Sequence, residues 1–561
     1  MSIRPDYLTF DDLLRKKLFR IPNYQRAYSW ESKQRTELFI DLEKLNKGVD
    51  KEKHHFMATI VCLKTGKETL VVDEFGVFQI VDGQQRLTTL IILLKALQKV
   101  LAKGNNQQKQ VANELQKFLI KEDNQLILLQ TSHDNAHFFG NYLDKGLIQE
   151  SDKVNTTSAQ HLVEAFKECE TFVNQWVEKH GGLSLLQIIK NRLGFIFYLL
   201  EDEASAYTVF EVLNSRGLEV DWLDKCKTML MGIAFETTSN QSARDQLIEE
   251  LHKRWSEIYR AIGITKIQGH EILRIAATLE YQFEPNRIKS AENAIAFFRE
   301  KCQENPRKII KVTHCFLGIA ETLKQLYENT PLEAVTGILH TRLLAIAIVM
   351  KSSLNKDERD KILKQWENVT FRIYGLFRKD SRTKVGEYTR LAWQIAHQKL
   401  PANMLLKKVA SIGEDYPIKA AVNELRETDC YHEWETELRY FLYRYEEHLA
   451  QEPGSAISEE LWQQIWKTSA AKTIEHILPQ SSKNQQAHTH HLGNLTLLPP
   501  KANAKACKNS FQEKRELYRE NRQLKLIDEI LDKKSWTKTE IGEREDRLLG
   551  WARYEWGDVT D

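Results

Sequence analysis

A carboxylate and an imidazole stand side by side at Glu475-His476, and two amides, Asn494 and Asn503, follow closely. They lie in and just after Ile474-Glu475-His476-Ile477-Leu478-Pro479-Gln480 and His491-Leu492-Gly493-Asn494-Leu495-Thr496-Leu497-Leu498. A neutral imidazole can take a proton from water, and carboxylate and amide oxygens suit a hard divalent cation such as Mg²⁺. Together they suit hydrolysis of a phosphodiester, where water must be driven against charge repulsion while a cation neutralises the leaving oxygen. His476 is therefore expected to be the base, and Glu475 and Asn503 the ligands of Mg²⁺ or another divalent cation.

The elements that must hold these groups are short. The run around His476 reads as a strand halted by Pro479, and Leu495 to Leu498 reads as a second strand halted by Pro499-Pro500. Helix follows, with Leu517, Leu524, Ile527 and Ile530 at helical spacing.

Strand, strand, helix with these residues resembles the ββα metal finger of HNH nucleases. With Asn509, Phe511 and Lys514, and the tail Trp536, Ile541, Arg544 and Leu548, it resembles the DUF1524 branch. The resemblance implies a catalytic set of His476, Asn494 and Asn503, with Asn494 orienting the finger rather than reacting. Glu475 stands where many HNH enzymes carry Asp. The cluster His488, His490 and His491 is open to two readings, an added ligand or a solvated His-rich loop.

A second constellation lies near the start. Ile21 to Trp30 precedes a strand at Phe56 to Leu63, an expected hairpin turn at Thr65-Gly66-Lys67, and strands near Leu70 to Val72 and Val77 to Val81. Asp82-Gly83-Gln84-Gln85-Arg86 then opens a helix with apolar residues at 87, 90, 91, 94, 97 and 101. A glycine turn entering a helix leaves backbone N–H groups that favour phosphate, and Arg26 and Arg86 can fork onto its oxygens. A plain turn before an amphipathic helix explains the same spacing, and no Walker motif occurs.

The order Gln25-Arg26 with Tyr28 and Trp30, then Asp82 to Arg86, then Phe210 to Gly217 with Asp224 and Lys227, resembles the DUF262 domain. That domain is similar to the ParB/sulfiredoxin fold and is associated with nucleotide hydrolysis or nucleotide-linked control. The resemblance implies a nucleoside triphosphate site at Gln25, Arg26, Asp82, Gly83, Gln84, Gln85 and Arg86, closed by Asn214, Arg216 and Gly217. Ala58 stands where the family commonly has Gly.

Composition sets bounds on these readings. The chain has 561 residues, 42% hydrophobic and 28% charged, and no apolar run approaches the length of about 20 residues that spans a membrane. About three to five domains are expected. The N-terminus lacks a signal-peptide core, so a cytoplasmic location is expected. Seven scattered cysteines form no Cys-x-x-Cys pair and are expected to be reduced, mostly buried thiols rather than zinc ligands. Net charge is only +2, so any DNA-binding face must be local. Lys501, Lys505, Lys508 and Lys514 beside the finger form one candidate, and the run from Arg378 to Arg390 another.

From about Asn105 to Ala450 the pattern is helix after helix, with Leu193 to Leu199 an expected extra strand of the N-terminal sheet. Turn residues at Ala450 to Ser455 suggest a linker, and polar residues at Thr237 to Ser242 a softer boundary. The expected fold is α+β and predominantly helical. It comprises a ParB/sulfiredoxin-like sensor at 1–237, a helical connector at 238–450 and an HNH nuclease domain at 451–561.

The DUF262 and DUF1524 pairing resembles GmrSD-type type IV modification-dependent restriction endonucleases. It implies a nucleotide-regulated endonuclease acting on modified phage DNA in antiphage defence. Two alternatives remain open: an SspE-like nicking nuclease linked to phosphorothioate DNA, and a nucleotide-controlled DNA-binding protein with an inactive finger. One finger cuts one strand at a time, so double-strand breaks would need a homodimer, successive nicks or reorientation.

Overall fold

Alternation of apolar residues along 56–63 builds the longest strand of the computed structural model. It describes residues 6–22, 25, 27–47, 55–121, 126–130, 136–146, 154, 156–200, 221–238, 240–263, 267–328, 335, 337–450, 458–480, 488–506 and 508–557. These residues group into two units, one within 1–277 and 289–324, the other within 278–288 and 325–561.

The first unit is built on a six-stranded mixed sheet. Its strands are β1 (Asp6–Thr9), β2 (Lys17–Ile21), β3 (His55–Leu70), β4 (Asp73–Asp82), β5 (Leu128–Gln130) and β6 (Leu193–Leu200), in the order β1-β6-β3-β4-β2-β5. β6, foreseen from its apolar run, pairs parallel with β3 and antiparallel with β1.

The period of two on β3 separates two packing faces. Ile60 and Cys62 join the main core with the helix Gln84–Leu101, whereas Val61 and Leu63 pack with Val81 and Leu200 in a smaller cluster. That helix is buried almost all round, including Leu87, Leu90, Ile91, Leu94, Leu97 and Leu101. Each such side chain contributes roughly 1.5–3 kcal/mol of burial, so the helix anchors whatever its first turn carries.

The β3–β4 hairpin differs from expectation. The chain does not turn at Thr65-Gly66-Lys67; β3 continues to Leu70 and turns at Val71-Val72, with Val71 at φ 55°. Lys64 opposes Phe78 and Gly66 opposes Val77, so Thr65 is taken up as a bulge. A glycine within a strand marks a bulge as readily as a turn.

Helices dominate the second unit. Lys356–Thr370 continues into a π-helical turn, Phe371–Leu376, and Leu339–Met350, Val385–His397, Ile418–Leu425 and Glu435–Leu449 surround it in sequence. Trp366 Nε1 donates to the Thr341 carbonyl at 3.0 Å and Trp434 Nε1 to the Gly375 carbonyl at 2.8 Å. Beyond them, β7 (Ile474–His476) and β8 (Leu495–Leu497) pair antiparallel, and the helices Pro500–Ala506, Phe511–Glu520, Lys525–Leu531 and Lys538–Glu555 follow.

The helix Glu435–Leu449 is bound into this C-terminal part. The Glu446 carboxylate accepts the backbone N–H groups of Lys525 (2.6 Å) and Leu526 (2.7 Å), satisfying the start of the helix Lys525–Leu531. The expected linker at 450–455 lies, after Ala450, outside the described residues. Of the described cysteines five are buried and Cys315 is intermediate, all as free thiols. No described helix is long and apolar enough to cross a membrane.

Candidate active site

β7 places Glu475 and His476 on opposite faces because successive strand residues point opposite ways. His476 faces a group of aromatic and imidazole rings. Its Nε2 lies 3.1 Å from His490 Nδ1, and its ring centroid is 4.4 Å from that of Tyr431. Gln480 Nε2 approaches the same ring at 3.3 Å. Burial pushes the His476 pKa down to about 3, and the nearby His490 and Lys514 push in the same direction. The imidazole is therefore neutral at ordinary pH, although a base works best with a pKa nearer neutrality.

Glu475 faces the interior. Its Oε1 lies 2.8 Å from Lys514 Nζ and accepts from the Tyr518 hydroxyl at 3.3 Å. Burial raises its carboxyl, and the Lys514 ammonium opposes that shift. Lys514 also donates to the His476 carbonyl at 2.6 Å. This corrects one expectation: Lys514 is fully buried and cannot form part of a DNA-binding face. Its charge is held inside because a carboxylate waits for it there.

Asn494 is fully buried and binds the loop after β7 on both sides. Its Oδ1 accepts from Leu478 N (2.8 Å) and Trp536 Nε1 (3.1 Å), and its Nδ2 donates to the carbonyls of Leu478 (3.1 Å) and Thr489 (2.8 Å). Both amide ends are thus used within the fold, and the His476 loop is held to the turn that carries His490. Beside it, Arg544 donates to the carbonyls of Gly493 (3.1 Å) and Leu495 (2.7 Å). Asn503 donates to the carbonyls of Lys472 (2.9 Å) and Ile474 (3.3 Å), which leaves its Oδ1 as the available oxygen.

Sequence reasoning missed Asp429 and His432. Both lie in the turn between the helices Ile418–Leu425 and Glu435–Leu449, and with His490 they bring three metal-ligand atoms within 4.8 Å of one another. The turn is tied to the His490 segment by Cys430 N donating to the His490 carbonyl at 3.0 Å. An Asp-x-x-His spacing in a turn carries no signal by itself; only the fold brings it to His490.

Lys501 and Lys505 are exposed and line an open cavity of about 710 Å³ together with Arg522 and Lys525, among other residues. Lys508 is also exposed.

In the first unit, Gln25 and Asp82 to Arg86, the described residues among those expected at a nucleotide site, lie at and around the start of the helix Gln84–Leu101. Gly83 is its N-cap at φ 95°, with no side chain capping the first turn. Arg86 is exposed, with its guanidinium 6.0 Å from the Trp30 ring centroid. Gln85 Oε1 accepts from Ser29 N at 2.9 Å and its Nε2 donates to the Ala27 carbonyl at 3.2 Å, while Gln25 donates to the Val81 carbonyl. These two glutamines hold Gln25, Ala27 and Ser29 against the sheet and helix. Gln84 is buried and Asp82 half-buried; Arg26, Asn214, Arg216 and Gly217 lie outside the described residues.

Comparison with protein families decides the class. Residues 10–231 match the GmrSD restriction endonuclease N-terminal domain, and residues 418–551 match the GmrSD restriction endonuclease C-terminal domain. The chain carries both domains of a GmrSD restriction endonuclease. The GmrSD N-terminal match contains the whole turn of Asp82 to Arg86, and the C-terminal match contains β7, β8 and the Asp429–His432 turn. No curated protein matched the chain.

Proposed function

We propose that this chain is a modification-dependent DNA endonuclease of antiphage defence, working in the cytoplasm under nucleotide control. Residues 1–237 sense and bind nucleotide, and an HNH-type cleavage centre within 451–561 is completed by the end of the 238–450 stretch, from residue 418 onward. The observation that carries this reading is His476, a buried imidazole at the end of β7 beside His490, within the stretch that matches the GmrSD C-terminal domain.

In the cleavage step His476 takes a proton from the attacking water, and Asn494 keeps the loop beyond β7 in place. Lys501, Lys505 and Lys508 neutralise backbone phosphates beside the centre without reading sequence. At the other end of the chain, the uncapped first turn of the helix Gln84–Leu101 and the exposed Arg86 offer N–H groups and a guanidinium to a triphosphate.

The Glu475 and Asn503 pair does not fit a resident Mg²⁺. Glu475 is already neutralised by Lys514 and hydrogen-bonded by Tyr518, and only the Asn503 Oδ1 remains, far short of an octahedral oxygen set.

The test is cleavage by the purified chain, with a divalent cation and nucleoside triphosphate, of glucosylated hydroxymethylcytosine phage DNA beside unmodified and phosphorothioate DNA. Cutting confined to the glucosylated DNA and lost in His476→Ala is the expected result. Nicking of unmodified DNA stimulated by phosphorothioate DNA would overturn modification-dependent cutting, and no cutting of any DNA would overturn the nuclease reading.

A further inference from the structure

Asp429, His432 and His490 hold their ligand atoms within 4.8 Å of one another, and the Nδ1 of His490 lies 3.1 Å from Nε2 of His476. From this juxtaposition we infer a binding site for one divalent cation of the borderline class, Fe²⁺, Co²⁺, Ni²⁺ or Zn²⁺, held by these three side chains at the edge of the His476 centre.

Ligand chemistry sets the class. Two imidazoles and one carboxylate suit first-row transition ions and Zn²⁺, whereas Mg²⁺ favours oxygen donors and retains its waters. Three protein ligands leave positions for water or a phosphate oxygen, as an open metal site requires.

Local structure presents the three groups together. The Asp429 Oδ1 accepts the backbone N–H groups of Tyr431 (3.2 Å) and His432 (3.0 Å), which fixes the turn and aims Oδ2 at His432 Nδ1, 3.0 Å away. That carboxylate oxygen and that ring nitrogen can exchange their mutual contact for a shared ion. The Cys430 N–H bond to the His490 carbonyl, 3.0 Å long, fixes the third ligand relative to the first two. Tyr431 packs beside the group, its ring 4.4 Å from that of His476 and 5.7 Å from that of His490.

The position matters for the chemistry. Glu475, the carboxylate adjacent in sequence to His476, is committed to Lys514 on the opposite face of β7, so the cation is carried instead by a turn from 429–432. That this ion serves cleavage rests on the nuclease reading above; that it binds does not.

The experiment is titration of Co²⁺ into the metal-stripped full-length chain, followed by its visible absorption, with calorimetric titration of Zn²⁺ as a second readout. One equivalent bound, unaffected by millimolar Mg²⁺, is expected. His432→Gln, at an exposed position, and Asp429→Asn should each weaken binding more than about 100-fold, beyond the 10–100-fold typical of losing an outer partner of a ligand. Glu475→Gln should leave binding unchanged. Circular dichroism of each variant establishes that it is folded. The inference is overturned if the folded wild-type chain binds no Co²⁺, or if Glu475→Gln abolishes binding while His432→Gln does not. Binding of Co²⁺ by a chain that cuts no DNA would leave the site standing and remove the nuclease reading.

Discussion

Lys514 Nζ lies 2.8 Å from Glu475 Oε1, and the same ammonium donates to the carbonyl of His476. The pair lies beneath β7 and holds the strand that carries the candidate base. Breaking one half of a buried ion pair leaves an uncompensated charge, whereas replacing both halves often costs little. Glu475→Gln should therefore destabilise the fold by about 3 kcal/mol. The double replacement Glu475→Gln with Lys514→Met should recover more than half of that loss. Urea unfolding of both variants measures the difference.

His476→Ala should lower DNA cleavage by about 10²–10⁴-fold, the usual contribution of a positioned base. Its ring contacts Tyr431 and His490 at the edge of the site rather than filling a main core, so the urea midpoint should change little. A large fall in stability with cleavage retained per folded molecule would show that the ring is a packing group.

Gly493 allows the turn before β8 to touch the C-terminal helix. A Cβ there would meet the Ile541 carbonyl oxygen at 2.0 Å and the Glu545 Cβ at 3.0 Å. Backbone cannot move aside as a flexible side chain can, so Gly493→Ala should cost about 2–3 kcal/mol, within the range for overpacking. Thermal unfolding reads the loss, and Gly542→Ala, where nothing lies within 4 Å, is the control.

Gln85 joins the helix Gln84–Leu101 to the extended segment before it, through Ser29 N and the Ala27 carbonyl. Gln85→Leu preserves bulk and removes both bonds, and should cost about 1–3 kcal/mol. Faster hydrogen exchange at residues 27–29 than in the sheet would locate the effect.

The second unit should lose stability in mild acid through His340. Burial pushes its pKa down to about 4, with the Thr383 carbonyl and Glu387 opposing, and its Nε2 lies 2.7 Å from the Tyr374 hydroxyl. In the unfolded chain the imidazole titrates near its usual 6.5. Below that pH the unfolded chain takes up a proton that the folded chain refuses, so stability falls as pH drops from 6.5 toward 4. About 2 kcal/mol should be lost between roughly pH 7.5 and pH 5. His340→Gln should flatten that dependence, as urea midpoints at the two values would show.

Local pattern made the strands β3, β4, β6, β7 and β8 and the helix after Gly83 legible, because each has a period, a breaker or a glycine at its edge. The hairpin turn was misplaced because Thr65-Gly66-Lys67 has turn composition, and only pairing with β4 shows it to be a bulge. Lys514 looked like one more basic residue in a lysine-rich stretch; that its partner is Glu475 is a long-range fact with no local mark. The contribution of Asp429 and His432 was invisible for the same reason, since their relation to His490 exists only once two distant turns are joined.

The bond from Glu446 to the helix Lys525–Leu531 bears on how such a chain can be inherited. A gene segment beginning after Ala450 would encode both strands and His476. It would omit the carboxylate that closes a later helix and the turn that faces His490. Exchange of cutting modules between related genes should therefore preserve a cassette that reaches back to the helix Ile418–Leu425, with breakpoints upstream of it rather than in the turn-rich stretch that looks like the natural seam.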